Sequence, residues 1–159
     1  MMKLRRTVCI EAPVERVWQV LSNLPAITQW VPAIRHAHCP QQARGVGAMR
    51  VCELERFTVR ETIVAWEEGR SLTYQGEGAP LMQRAQNTWS VEAHGGMTLL
   101  TSESEVTIKG GVLGLLLQPL VKLMSARLGD QSLASLKYLV EHGHPAPVGQ
   151  SLLRGPVSC

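Results

Sequence analysis

The chain has 159 residues, of which 45% are hydrophobic and 18% charged, and its formal net charge is +3. This length and composition predict one ordinary globular domain with enough apolar surface for a core of its own. The basic residues are scattered rather than gathered on one face among aromatic side chains, so nucleic acid is not an expected partner.

The four cysteines, Cys9, Cys39, Cys52 and Cys159, follow no metal-binding or redox spacing, and we expect reduced thiols. The N-terminus lacks the apolar run of a signal peptide. The longest apolar stretch, residues 112–124, is shorter than the roughly 20 residues that span a bilayer. A cytoplasmic location is therefore expected.

The N-terminal part predicts a strand followed by two short helices. Residues 6–11 alternate weakly, as a strand does. Pro13 suits the first turn of a helix, and apolar residues from Val14 to Leu21 follow at helical spacing. A second apolar stripe runs from Pro25 to Ile34, and Pro32 within it predicts a short, irregular helix.

From residue 35 to residue 108 the pattern changes to strands and turns. The predicted strands cover residues 48–54, 57–66, 71–75, 86–93 and 98–108. Short turns rich in glycine separate them, as between His94 and Gly96. Such closely spaced strands pair in antiparallel fashion, because parallel pairing needs long crossovers.

The C-terminal part predicts one long helix over residues 112–142, with Pro119 inside it, which should kink the helix or mark a short lead-in turn. Its apolar positions include Leu120 and Met124, which we expect on the side facing the sheet. The domain is therefore expected over residues 1–142. The remaining residues, 143–159, are rich in proline and glycine and predict a flexible tail.

The order of these elements resembles the START/SRPBCC superfamily, and within it the polyketide cyclase/dehydrase and lipid transport family. The resemblance is carried by IEAPVERVWQVLSNLPAITQWVPAI at residues 10–34, GVGAMR at 45–50, the strands within 59–74, GGMTLLTSESEV at 95–106 and the last helix. It implies an α+β helix-grip fold: a curved antiparallel sheet of about seven strands, two short helices after the first strand, and the long helix across the sheet. It also implies binding of a hydrophobic ligand, although a fold does not fix a function.

A space between sheet and helix is the expected ligand site. On the last strand Glu103 and Glu105 alternate with Leu100, Ser102 and Ser104, so the second set should face the helix. Serines at inward positions leave room that a packed core would fill, and their hydroxyls can orient a ligand. Alternatively, a neighbouring tryptophan fills that room.

Glu61 shares its strand parity with Phe57, Val59, Ile63 and Ala65. If this face is inward, Glu61 is a carboxylate in an apolar cavity, where it could act as an acid, a base or a ligand anchor. If the opposite face is inward, with Val64 and Trp66, Glu61 lies at the rim in solvent.

Further candidates for the ligand-binding wall come from three elements. The full set is Trp30, Val59, Glu61, Ile63, Trp89, Leu100, Ser102, Ser104, Leu120 and Met124.

His36, His38 and Cys39 could ligate zinc, but no second ligand pair follows, so we expect no metal. No nucleophile elbow, phosphate loop or dinucleotide fingerprint is present, and no cofactor is expected.

Three functions fit these residues. The first is binding or carrying of a small hydrophobic molecule such as a lipid, a quinone or an aromatic polyketide. The second is a cyclase or dehydratase that uses Glu61, with help from Arg50 or Tyr74. The third uses the apolar start of the last helix, residues 112–124, as a homodimer interface or as a contact with a membrane surface.

Overall fold

The computed structural model describes residues 1–149, 152 and 155–159. Its elements are β1 (Met2–Ile10), α1 (Val14–Ser22), a 3₁₀ helix (Leu24–Gln29), β2 (His36–His38), β3 (Met49–Glu53), β4 (Thr58–Glu67), β5 (Ser71–Glu77), β6 (Met82–His94), β7 (Met97–Ile108) and α2 (Gly111–His142). The seven strands form one antiparallel sheet in the order β1-β7-β6-β5-β4-β3-β2. The predicted α+β helix-grip fold is therefore confirmed.

The two short helices after β1 differ from each other as the prolines predict. Pro13 precedes α1, whose buried side chains include Val17, Trp18 and Leu21. The second helix is a 3₁₀ helix throughout. It ends at Gln29, earlier than the apolar pattern, which continues to Ile34, predicts. Pro32 has no N–H and disfavours helical backbone at the residue before it, so the helix cannot continue.

The last helix, α2, is one continuous helix from Gly111 to His142 and passes through Pro119. Gly143 ends it in the left-handed conformation, with φ of 79°, and donates its N–H to the carbonyl of Leu139. Its C-terminal half enters the main core through side chains such as Leu133 and Leu136, which are fully buried, and its N-terminal half contributes Val121 to a smaller buried cluster. By length and composition alone α2 could also cross a membrane, but this buried half is part of the core under the sheet.

A single carboxylate joins α1, the loop before β3 and the end of β4. Glu68, in the β4–β5 turn, accepts hydrogen bonds from the indoles of Trp18 (3.0 Å) and Trp66 (2.7 Å) and from Arg44. The bonds from Trp66, Trp18 and Arg44 lower the pKa of Glu68. The glutamate thus fixes α1 and the loop before β3 against the end of β4.

The end of the chain returns to the edge strand β1. Cys9 and Cys159 form a disulfide, Cys9 N–H donates to the carbonyl of Pro156 at 2.8 Å, and Thr7 Oγ1 donates to that of Val157 at 2.7 Å. The expectation of four reduced thiols is therefore wrong for this pair, because the chain ends meet in space although 150 residues separate them. Of the predicted flexible tail, 143–159, residues 150, 151, 153 and 154 lie outside the described residues.

Candidate functional site

A cavity of about 240 Å³ lies between the inner face of the sheet and α2. The β-strands and the loops beside them supply most of its wall, and Ser125, Leu128, Gly129 and Ser132 of α2 close it. Most of the remaining lining is apolar, with a few polar groups placed among it. Concave apolar sites with few polar groups are the usual form of small-molecule sites.

The register of β4 places Glu61 in this wall. Phe57, Val59 and Glu61 line the cavity, and Ile63 of the same parity is buried beside it. Arg60, on the opposite parity, is exposed. The pattern-based alternative that puts Glu61 in solvent is therefore wrong.

A β-bulge then reverses the faces of β4. Ile63 pairs with Tyr74 but Ala65 pairs with Thr73, so Val64 is the extra residue. The expectation that Ala65 shares the inner face is wrong, because the bulge turns it outward and brings Trp66 inward instead. Trp66 packs edge-on against Trp18, with ring centroids 5.4 Å apart.

Glu61 is held by a buried ion pair with Arg50 of β3. Glu61 and Arg50 face each other across the strand register. Glu61 Oε2 accepts a hydrogen bond from Arg50 Nε at 2.7 Å and lies 2.5 Å from Arg50 Nη2. Arg50 also donates to the carbonyl of Leu24 at 3.3 Å, and its side chain is only 4% exposed. The other carboxylate oxygen, Oε1, accepts no hydrogen bond from the described residues, so it is the acceptor left for a ligand.

Two further titratable groups surround this pair. Burial, with added repulsion from Glu61, raises the pKa of the Cys52 thiol to about 12, and Cys52 Sγ lies 3.7 Å from Glu61 Oε2. Burial and the charge of Glu61 also raise the pKa of Tyr74, whose ring lies 5.3 Å from the Arg50 guanidinium carbon. Desolvation, the largest single influence, lowers the pKa of the Arg50 guanidinium, but the charge interactions with Glu61, Tyr74 and Cys52 and the hydrogen bond to Glu61 together outweigh it, so the pKa is raised. At neutral pH the site therefore combines one paired cation with a protonated thiol and a protonated phenol.

Two tryptophans form an aromatic corner of the cavity. Trp30 and Trp89 both line it and meet edge to face at 5.3 Å. Trp89 donates its indole N–H to the hydroxyl of Tyr74 at 3.3 Å. Trp30 is 3% exposed, and its Nε1–H has no acceptor among the described residues. Buried polar groups normally have partners, so this donor is an exception that needs an explanation.

The wall formed by β7 carries the hydroxyls that its alternation predicts. Ser102, Ser104 and Val106 line the cavity, opposite Asn87 and Trp89 on β6. Ser104 Oγ is hydrogen-bonded to Asn87 Oδ1, whereas Ser102 Oγ makes no hydrogen bond with a described residue. Both serines line the open cavity together with Trp89, so the neighbouring tryptophan does not fill all the space that they leave.

The predicted ligand-binding residues fall into two groups. Those that line the cavity are Trp30, Val59, Glu61, Trp89, Ser102 and Ser104. Ile63 and Leu100 are packed in the core instead, at 3% and 0% exposure, and Leu120 and Met124 face solvent at 55% and 63%. The last two are wrongly placed because they lie on sides of α2 that turn away from the sheet, whereas Val121 between them packs against Met2 and Val106.

Other lining residues were not foreseen in this role. Cys52 comes from β3, Asn87 from β6 and Ser125 from α2. Strand parity could have indicated Asn87, which shares its face with Trp89 and Val91. Arg50 and Tyr74, named from the sequence as helpers of Glu61, both lie near it, but the Arg50–Glu61 ion pair itself was not predicted because cross-strand register is not visible in the sequence. No cluster of three potential metal ligands occurs among the described residues.

An open antiparallel sheet that holds a long helix over an apolar cavity defines a helix-grip protein of the START type. The chain belongs to the polyketide cyclase / dehydrase and lipid transport family, whose model matches residues 1–141. A search of curated protein sequences finds no match.

Solved structures with the same fold support this assignment. A START superfamily protein from Mycobacterium smegmatis has a TM-score of 0.70 at 19% identity, covering 88% of this chain and 97% of its own. The Zhui aromatase/cyclase from Streptomyces sp. R1128 has a TM-score of 0.73 at 13% identity, covering 91% and 99%. A protein from Thermobifida fusca has a TM-score of 0.72 at 19% identity, covering 92% and 99%. At these identities the likeness concerns the fold.

Proposed function

We propose that the protein binds and carries a compact, mainly apolar molecule in the cavity between the sheet and α2. The observation that carries the proposal is the cavity itself, which the core leaves open although protein interiors are normally packed to high density. Its volume of about 240 Å³ lies below the roughly 300–1,000 Å³ of sites for drug-sized ligands. A small ring compound, such as a quinone or an aromatic polyketide fragment, fits this volume better than a long acyl chain.

The unmatched polar groups of the wall describe the ligand further. Trp30 Nε1–H would donate to a carbonyl or ether oxygen, and Glu61 Oε1 would accept from a hydroxyl. Ser102 Oγ can do either. A ring compound that carries both a carbonyl and a hydroxyl would satisfy all three, and a pure hydrocarbon would leave them unpaired. Leaving buried polar groups unpaired costs binding free energy, so we expect oxygenated ligands to be preferred.

Quenching of tryptophan fluorescence by a soluble naphthoquinone tests the proposal, because Trp30 and Trp89 line the cavity. We expect saturable quenching in the wild-type protein. The double variant Ser102→Leu/Ser104→Leu fills the cavity and should weaken binding at least about tenfold. Ser71→Leu/Ser90→Leu is the matched control, since both serines lie on the outer face of the sheet. Equal quenching curves for the filled variant and the control would rule out the cavity as the site.

A second candidate function is a cyclase or dehydratase. It is favoured by one observation, the free Oε1 of Glu61 in the cavity wall near Tyr74. A carboxylate placed this way could take a proton from an activated carbon of a poly-β-keto chain. Glu61→Gln keeps the shape of the side chain and removes the base. With such a chain as substrate, turnover that survives this substitution would exclude Glu61 as the catalytic base.

We also propose that the protein works in the cytoplasm, and the cysteines provide the test. Cys39 and Cys52 are free thiols, which suits a reducing compartment. The Cys9–Cys159 disulfide would be reduced there. Trapping of thiols in intact cells, followed by mass spectrometry of the peptides, reports the state of this pair. Complete oxidation in the cell would contradict a cytoplasmic location.

A further inference from the structure

The first half of α2 presents a row of large apolar side chains to solvent. Val112, Leu113, Leu115 and Leu116 are 67% to 77% exposed. Further along the same helix Leu120, Leu123 and Met124 are 49% to 63% exposed. Contiguous apolar surface of this kind marks an interaction site, whereas single exposed leucines do not.

The fold uses only the opposite side of this segment. Gly114 and Val121 are buried, and Val121 packs in a small cluster with Met2 and Val106. A side chain at Gly114 would collide with the carbonyl oxygen of Lys109, at 2.4 Å, so close packing is built into this side. At about 100° per residue, Leu116 and Leu123 lie on the far side of the helix from Val121, and Leu120 lies at its flank.

The charged residues within the segment that carries the apolar row are all positive, and the first acidic residue after it, Asp130, is paired with Arg6. Between residues 109 and 129 the chain has Lys109, Lys122 and Arg127 and no aspartate or glutamate. None of these three cations forms an ion pair within the described residues. Lys109 lies before the start of the row, Arg127 lies after its end, and Lys122 lies at its flank. In the groove next to Lys122, by contrast, Lys3, Arg5 and Arg6 are paired with acidic residues.

We propose that this face of α2, residues 112–124 with the three cations, docks on the surface of an anionic lipid bilayer. An apolar row bordered by lysine and arginine matches the interfacial zone of such a bilayer, where acyl chains meet negative headgroups. A symmetric dimer through this face fits less well. It would bring the cations of both copies close together, and the segment has no acidic residue to pair with them. The helix lies on the membrane rather than crossing it, because its other half is locked in the core.

Docking would also place the cavity beside the bilayer. Ser125, Leu128 and Gly129, which follow Met124 within about one and a half helical turns, belong to the cavity wall. A molecule with low solubility in water could then pass between membrane and cavity over a short path. The docking itself does not depend on the cavity being filled, so the two proposals fail separately.

Vesicle flotation of the full chain tests the docking surface. Vesicles of phosphatidylcholine alone are compared with vesicles of phosphatidylcholine and phosphatidylglycerol in equal parts. We expect the protein to float with the anionic vesicles and largely to remain behind with the neutral ones. Reversing two charges, in Lys122→Glu/Arg127→Glu, should weaken binding at least about tenfold.

Leu116→Glu/Leu123→Glu should abolish flotation. The matched control is Val46→Glu/Val64→Glu, which changes two exposed valines away from α2 and should float like the wild type. An unchanged far-UV circular dichroism spectrum and an unchanged thermal unfolding midpoint show that each variant is folded. Absence of flotation with anionic vesicles, or equal flotation of Leu116→Glu/Leu123→Glu, would overturn the proposal. The wild type could instead fail to bind vesicles but elute as a dimer from a sizing column. If Leu116→Glu/Leu123→Glu then eluted as a monomer and the control did not, the face would be assigned to a second copy.

Discussion

At the scale of single residues, the site depends on a charge pair placed where charges are costly. The side chains of Arg50 and Glu61 are 4% and 12% exposed and face each other within the sheet. A buried pair gains little over an apolar pair of the same size, but one partner left alone is strongly unfavourable.

This asymmetry gives a prediction for stability. Arg50→Ala leaves a buried carboxylate without its partner and should lower the free energy of unfolding by about 3–5 kcal/mol. The double variant Arg50→Met/Glu61→Leu removes both charges and should recover most of that loss. Urea unfolding measures both. A double variant as unstable as Arg50→Ala would show that the pair itself stabilises the fold.

Cys52 gives a second prediction at this scale. The thiolate is the reactive form of cysteine, and burial raises the pKa of Cys52 to about 12. Iodoacetamide at neutral pH should therefore modify the half-buried Cys39 and leave Cys52 intact in the folded protein. Peptide mass spectrometry distinguishes the two sites. Rapid labelling of Cys52 would contradict the buried site described above.

At the scale of elements, the chain end acts as an addition to β1. A disulfide between residues 150 apart closes almost the whole chain into one loop, and such a closure mainly restricts the unfolded state. Cys159→Ser should lower the free energy of unfolding by about 2–5 kcal/mol under oxidising conditions. In excess reductant the wild type should fall to the level of the variant. Equal stability of both proteins without reductant would mean that the bond does not form in solution.

The entrance to the cavity is the second feature at this scale. The sequence indicates mobile segments at residues 30–32, 76–80 and 110–111, because each contains glycine or proline. In the structure Trp30, Val31, Gly76 and Ala79 line the cavity, whereas Gly110 and Gly111 do not. Gly78 has φ of 104°, and a side chain there would collide with the carbonyl oxygen of Thr58 at 2.3 Å. The loop is thus seated closely on β4 beside the cavity.

Hydrogen exchange tests this entrance. With naphthoquinone bound, residues 76–80 should become protected, while residues 110–111 should exchange as in the empty protein. Protection that appears only at residues 110–116 would move the entrance to the start of α2. No change in either segment, with quenching demonstrably saturated, would mean that the entrance lies elsewhere or is permanently open.

At the scale of the whole molecule, local patterns predict the elements better than they predict their contacts. The alternation of β7 correctly indicates that Ser102 and Ser104 face α2. The pattern of β4 holds as far as Ile63 and then fails at Val64, because a bulge has no clear signature in a single strand. Leu120 and Met124 fail for a different reason: apolar residues lie on several sides of this part of α2, so helical periodicity does not show which side packs against the sheet.

The same limit applies to the pairs that complete the site. Arg50 and Glu61 meet through the register of β3 and β4, and Cys9 meets Cys159 only once the entire chain has folded. Neither distance follows from sequence spacing. The tail shows it most plainly, since its proline and glycine content predicts flexibility although Pro156 and Val157 are hydrogen-bonded to β1.

The central claim is that the cavity holds a compact apolar molecule, and native mass spectrometry of the protein purified from its own cells tests it most directly. We predict a noncovalent adduct on the wild type and on Ser71→Leu/Ser90→Leu that is missing from Ser102→Leu/Ser104→Leu. Organic extraction should release the adduct as a small oxygenated ring compound. A wild-type spectrum without any adduct, or the same adduct on the filled variant, would contradict the claim.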